Sequence, residues 1–110
     1  MVGDEDDVVV AAITAAELLV GVHLADARHK ASRRKFIESL LSSIPVEPYD
    51  LEIARAHAGL LAHTRATGRA RGAHDLLIAA TARARSRTVV TADASGFQDL
   101  PDITVRLLPR

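Results

Sequence analysis

Three acidic residues in this 110-residue sequence stand beside apolar segments: Glu17, Asp75 and Asp93. If they shared one pocket, their charges would repel, and one would take up a proton near neutral pH unless a cation intervened. A hard divalent ion with oxygen ligands removes that conflict. Mg2+ favours one or two carboxylates completed by waters and substrate phosphates. Such a site can deprotonate a water and stabilise charge on a phosphodiester. Each acid taken singly has a plainer explanation. Thr14-Ala-Ala-Glu17 fits a capping box, in which Glu17 would accept from the cap's own N–H. Asp75 could be an N-cap or a first-turn acid favoured by the helix dipole. Asp93 in Thr-Ala-Asp-Ala-Ser-Gly could close an Asx turn. Two details favour the joint reading. Gly21, one turn after Glu17, leaves space over that carboxylate. The five residues after Asp75 are all apolar, so the charge sits at the rim of a buried element, an expensive place without a partner.

Competing chemistries are poorly represented. The chain has no cysteine, which removes disulfide frameworks, zinc fingers, thiol nucleophiles and iron–sulfur clusters. None of its five histidines shows metal-ligand spacing. His57 is expected to pack against the core, and His23, His29, His63 and His74 to lie on the surface. No serine stands in a G-x-S-x-G context. Gly68-Arg-Ala-Arg-Gly72 lacks the spacing of a phosphate loop and does not follow a strand. Aromatic residues make up only 3% of the chain, too few for stacking to be its main recognition device.

Charge is balanced overall, with 14 basic and 14 acidic residues, so a globally basic nucleic-acid binder is excluded. It is nevertheless uneven. Residues 1–20 carry five acids and no base, whereas residues 65–87 carry six arginines against Asp75 alone. The plain reading is two solvated faces; the sharper one is an acidic site beside a basic groove that suits a polyanion. No run approaches the ~18 consecutive apolar residues of a membrane span. The first seven residues are acidic where a signal peptide is basic, so a cytoplasmic location is expected.

The elements that must position these residues alternate. The β-branched run Val8–Ile13 reads as a buried strand, and a helix follows from Thr14 to about Leu24. A second helix spans Ala31 to Leu41, with Phe36, Ile37, Leu40 and Leu41 on one face. Ile44–Val46 is a short strand kept to an edge by its proline. Asp50 caps a helix through about Thr67, with Ile53, Ala54, His57, Leu60, Leu61 and Thr64 inward. Gly68 and Gly72 frame a loop, and the next helix runs from Asp75 to about Ser86. Strands at Thr88–Thr91 and Ile103–Leu107 flank a turn-rich stretch from Asp93 to Asp102. This order predicts an α/β fold with a small, mostly parallel sheet and helices on its faces. Sites in such sheets lie beyond the carboxyl ends of the strands, which is where all three acids fall.

Three segments in order, Ile13-Thr-Ala-Ala-Glu-Leu-Leu-Val-Gly21, Ala73-His-Asp-Leu-Leu-Ile-Ala-Ala-Thr-Ala82 and Val89-Val-Thr-Ala-Asp93, resemble the downstream acidic motifs of PIN-domain ribonucleases. The likeness is greatest to the VapC toxins of bacterial VapBC toxin–antitoxin pairs. It implies a Rossmann-like three-layer α/β/α sandwich and a Mg2+- or Mn2+-dependent endoribonuclease. Glu17, Asp75 and Asp93 would then be metal ligands and Thr91 the hydroxyl residue that steadies the last acid. Arg69 and Arg71 would hold RNA phosphates as guanidinium forks. The implied partners are RNA, a VapB-type antitoxin and a second copy of the chain.

The likeness has gaps. The family's first strand, which ends in an aspartate and lies mid-sheet, has no counterpart before Val8, and a frequent later acid is replaced by Gly96. The expectation is one PIN-like domain over residues 1–110, incomplete at its N-terminus. Its gap would close by pairing of the Val8 and Val89 strands or be filled by a second chain. The alternative function is a decayed, non-catalytic module that keeps antitoxin and dimer surfaces. A third reading is an unrelated α/β module in which the acids are only caps.

Overall fold

A computed structural model describes residues 9–69, 72–91 and 93–107. They belong to two compact units, Val2–Pro48 and Tyr49–Arg110.

In Val2–Pro48 the order is β1 (Val10–Ala11), α1 (Ala12–Leu24), α2 (Lys30–Ser43) and β2 (Val46–Glu47). Of the strand expected over Val8–Ile13, Val8 lies outside the described residues and Val10–Ala11 is strand, because Ala12 and Ile13 join the helix; alanine is the strongest helix former and draws the boundary back. This overturns the capping box. Thr14 lies inside α1, whose cap position is Ala11 and carries no side-chain bond, so Glu17 projects from the second turn. β1 and β2 pair in parallel, Val10 with Val46 and Ala11 with Glu47. Ala11, Ala15, Val22 and Ile37 are buried. Phe36, expected on the inner face, is 67% exposed. Ile37 is the centre of the α2 stripe, and Phe36 sits about 100° round the helix from it.

In Tyr49–Arg110 the order is α3 (Leu51–Thr67), α4 (Ala73–Ala84), β3 (Val89–Thr91), a short 3-10 turn (Ala94–Phe97) and β4 (Val105–Leu107). The Asp50 cap is present: its carboxylate accepts from the Ile53 amide at 3.0 Å. Gly68 ends α3 at φ 69°, a left-handed position suited to glycine, and turns the chain towards Arg69. Ile53, Leu60, Leu76, Ala79, Ala80, Ala82, Val89, Phe97 and Leu100 form one core. Three alanines in α4 let it approach α3 closely, and the buried Thr81 hydroxyl is satisfied by the Leu77 carbonyl at 2.8 Å. β3 and β4 pair in parallel, Val89 with Val105 and Thr91 with Leu107.

The parallel pairing matches expectation. Among the described residues each unit has one two-stranded parallel ribbon, β1 with β2 and β3 with β4. No helix among the described residues is long and apolar enough to cross a membrane.

Candidate metal and phosphodiester site

Asp75, Thr91 and Asp93 line one cavity of about 300 Å3, together with Ser95, Gly96 and the apolar Ile78, Val89, Val90 and Phe97. Asp75 is in the first turn of α4, whose cap position, Gly72, offers no side-chain acceptor. A carboxylate there compensates the unsatisfied amides of the helix start. The carboxylate lies in a slot between two glycines. A Cβ added to Gly96 would stand 2.1 Å from Asp75 Oδ2 and 2.9 Å from its Cγ, and one on Gly72 3.7 Å from the same oxygen. Gly96 therefore does more than lack an acid: no side chain fits at that position while Asp75 keeps its place.

Asp93 is fixed by short-range bonds. The Thr91 hydroxyl donates to the Asp93 carbonyl at 3.1 Å and accepts from the Asp93 amide at 3.2 Å. Asp93 Oδ1 accepts from the Ser95 amide at 3.0 Å and so starts the 3-10 turn. The Asx-turn reading of Asp93 thus holds, in a residue that also faces the cavity. Ser95 and Gly96 were missed as site residues. The Asp-x-Ser spacing signals the turn, but only the packing shows that the turn presses Gly96 on Asp75.

Glu17 lines another cleft, within its own unit. This cleft of about 530 Å3 lies along α1 and α2, with Gly21, His29, Arg33 and Phe36 among its walls. A Cβ on Gly21 would meet nothing within 4 Å, so the open space expected beside Glu17 is real. Among the described residues no group of three or more His, Asp or Glu side chains is placed to hold a metal ion. The donor set in the 300 Å3 cavity, two carboxylates with adjacent hydroxyls, is nonetheless the oxygen chemistry that suits Mg2+ or Mn2+.

The arginine-rich segment is largely engaged with acids outside it. Arg69 donates to Asp99 at 2.7 Å, Arg83 lies 3.4 Å from Asp102, and Arg85 is bonded to both Asp50 and Glu52. Arg71 lies outside the described residues. His57 is half-buried as expected and meets the Tyr49 hydroxyl at 3.1 Å. His63, expected at the surface, is half-buried, with Nε2 3.0 Å from the Asp99 carbonyl. Sequence order could not reveal that contact, because the two residues are 36 positions apart.

The PIN-domain family profile matches residues 2–103. The chain belongs to the PIN-domain family. It is 30% identical over 98 residues to the ribonuclease VapC of Rickettsia bellii, covering 88% of this chain and 73% of that one. A member of the VapBC family of toxin–antitoxin systems, VapBC-5 from Mycobacterium tuberculosis, superposes with a TM-score of 0.79. It is 30% identical, and the match covers 91% of this chain and 81% of that one. VapBC2 of Rickettsia felis, solved on a DNA fragment from its promoter, shares the fold with a TM-score of 0.87 at 23% identity, over 96% of this chain and 77% of that one. Fold class and family therefore stand as the acidic motifs implied.

Proposed function

We propose that this PIN-domain chain is a divalent-metal-dependent endoribonuclease toxin restrained by a cognate antitoxin. The observation that supports it is the joint lining of one cavity by Asp75, Asp93 and Thr91, in a chain whose relative is named a ribonuclease. Asp75 and Asp93 are the proposed metal ligands. Glu17 is proposed as a third on the motif resemblance alone. When bound, Mg2+ or Mn2+ supplies a more acidic water and positive charge for an RNA phosphodiester. The protein's own residues do the rest. Thr91 holds the Asp93 backbone. Gly96 leaves the Asp75 carboxylate room to face the cavity. The apolar residues Ile78, Val89 and Phe97 form the packed floor on which the Asp75 and Asp93 segments rest. Arg71 is proposed as a phosphate contact; the Arg69 guanidinium, expected in the same role, is bonded to Asp99.

The proposed partners are single-stranded or structured RNA, a VapB-type antitoxin and a second copy of the chain, with a cytoplasmic location. In Val2–Pro48 the α1–α2 cleft, with Phe36 exposed on it, offers a surface for an antitoxin peptide.

The second reading, a module that binds antitoxin without cutting RNA, is favoured by the absence of a three-carboxylate cluster among the described residues. One experiment separates the two. Purified chain and its Asp75→Asn variant are incubated with RNA, with Mg2+ or Mn2+ and with EDTA. The nuclease reading expects cleavage that EDTA and Asp75→Asn both abolish. Cleavage indifferent to both ends it, and antitoxin binding without any cleavage at high Mn2+ replaces it with the second reading.

A further inference from the structure

The stretch 93–102 carries Asp93 and Gly96 at one end and two unusual backbone positions at the other. Asp99 and Asp102 adopt φ of 63° and 60°, the left-handed region that side-chain-bearing residues rarely occupy. Each is held by an arginine from a distant part of the same unit. Arg69, just past the end of α3, donates to Asp99 Oδ2 at 2.7 Å, and Arg83, in the last turn of α4, reaches Asp102 Oδ2 at 3.4 Å. Asp99 has a second tie: His63 Nε2 donates to its backbone carbonyl at 3.0 Å. Phe97, just before these ties, and Leu100, between them, are buried, 6% and 7% exposed.

A lone ion pair on a surface fixes little, because both side chains can swing away. Asp99 differs in being held by carboxylate and by carbonyl at once, from two residues at one helix end. Such a pair of bonds fixes the backbone of Asp99 and not merely its side chain. The Arg69 guanidinium is also already engaged, so it must leave Asp99 or share it before meeting a phosphate. Asp99 is two residues from the buried Phe97 and next to the buried Leu100, and Phe97 directly follows Gly96, the glycine that Asp75 abuts.

We propose that Arg69 and His63 are positioning residues: they latch Asp99 and so hold the 93–102 stretch, with Asp93 and Gly96, in register with Asp75. The inference rests on the metal-site reading above, but the latch itself can be tested without it.

The test compares Arg69→Ala, Arg69→Lys, Asp99→Asn, His63→Gln and the Arg69→Ala/Asp99→Asn double variant in the full chain. Three quantities are read: the apparent Mg2+ affinity fitted from the dependence of melting temperature on Mg2+ concentration, the affinity for a short oligouridylate in EDTA with its salt dependence, and hydrogen exchange across residues 93–102. The latch expects Arg69→Ala and Asp99→Asn to act in the same direction. Both weaken apparent Mg2+ affinity by about tenfold and both lose protection in the stretch, the double variant is no worse than the worse single, and Arg69→Lys restores part of the loss. His63→Gln gives a smaller change of the same sign.

A phosphate contact predicts opposite signs, because Arg69 would attract RNA and Asp99 repel it. If Arg69→Ala weakens RNA binding and flattens its salt dependence, Asp99→Asn strengthens it, and protection is unchanged in both, the proposal is overturned. If the unaltered chain shows no Mg2+-dependent stabilisation, the metal reading fails and exchange alone decides. Lost protection in both variants then keeps the latch, and unchanged protection ends it. Should Arg69→Ala not fold, Arg69→Lys and Asp99→Asn carry the comparison.

Discussion

Each unit holds two helices and one short parallel ribbon, yet the two bury their side chains to different depths. In Tyr49–Arg110 the helices α3 and α4 enclose a continuous core that runs from Ile53 to Leu100. In Val2–Pro48 the buried set is Ala11, Ala15, Val22 and Ile37, while Leu24 and Phe36 are 80% and 67% exposed. The candidate chemistry divides the same way. Asp75 is half-buried in a glycine-walled slot, and Asp93 is bonded into its own turn, whereas Glu17 projects from the second turn of α1 onto an open cleft. A carboxylate that must meet a cation at a fixed distance benefits from a rigid frame; a surface that must accept a partner benefits from exposed apolar groups. The contrast accords with the proposed roles, α3–α4 as the frame of the site and α1–α2 as the surface offered to a partner.

The largest expected effect breaks that contrast at its core. Leu60→Ala removes a fully buried side chain and should cost about 2–5 kcal/mol in denaturant unfolding. Leu24→Ala, the same change at an exposed position, should stay within about 0.5 kcal/mol. Similar losses at both positions would show that α1 is buried in solution by something beyond its own unit. Next is Asp75→Asn, which should lower metal-dependent RNA cleavage by about a hundredfold or more, since even residues that only support a metal ligand cost 10–100-fold. The same change should remove the Mg2+-induced rise in melting temperature. Gly96→Ala is expected to be milder, about a tenfold loss in apparent Mg2+ affinity, because the Asp75 side chain can rotate away from the added methyl group. Full activity in Gly96→Ala would mean that Asp75 does not work from the slot.

Much of the Tyr49–Arg110 unit was legible in the sequence because its signals are local and agree. Asp50 before an apolar stripe, Gly68 after it, and Ile53, Leu60 and Thr64 at helical spacing all lead to the α3 observed. That Asp75 and Asp93 line one cavity follows from strand and helix termini meeting at one edge in a parallel α/β fold, whereas Thr91 entered through the motif resemblance alone. Part of what could not be read depends on separations of 30 or more residues. The Arg69–Asp99 and Arg85–Asp50 pairs are 30 and 35 positions apart, so an arginine-rich segment that reads as a basic groove becomes a set of internal clamps. The collision of a Gly96 side chain with Asp75 is likewise a fact of packing. In Val2–Pro48 the local signals conflict. Thr14-Ala-Ala-Glu17 satisfies a capping pattern, but Ala12 favours an earlier helix start and prevails. Phe36 belongs to an apolar face by spacing, and its exposure follows from how narrow the buried stripe of α2 is.

The smallest effect concerns the start of α3 and separates its frame from its chemistry by pH. The Ile53 amide and, next, the Arg85 guanidinium bond the Asp50 carboxylate and hold its pKa below the ordinary 3.8. The bonded form is the charged one, so the unfolded chain takes up a proton at this residue at higher pH than the folded chain does. The contribution to stability is therefore complete above the ordinary pKa and fades as pH falls below it towards the depressed folded value. Asp50→Asn keeps an acceptor for the Ile53 amide but loses the charge that Arg85 needs. Its deficit relative to the native chain should be largest at neutral pH, narrow below about pH 4 and close at lower pH, as read from thermal unfolding across an acid series. Because Asp50 is at the far end of α3 from Arg69, apparent Mg2+ affinity at neutral pH should be unchanged in the same variant. A deficit that stays constant down to low pH would mean that the bond to Ile53 alone matters and that Arg85 adds nothing to the helix start.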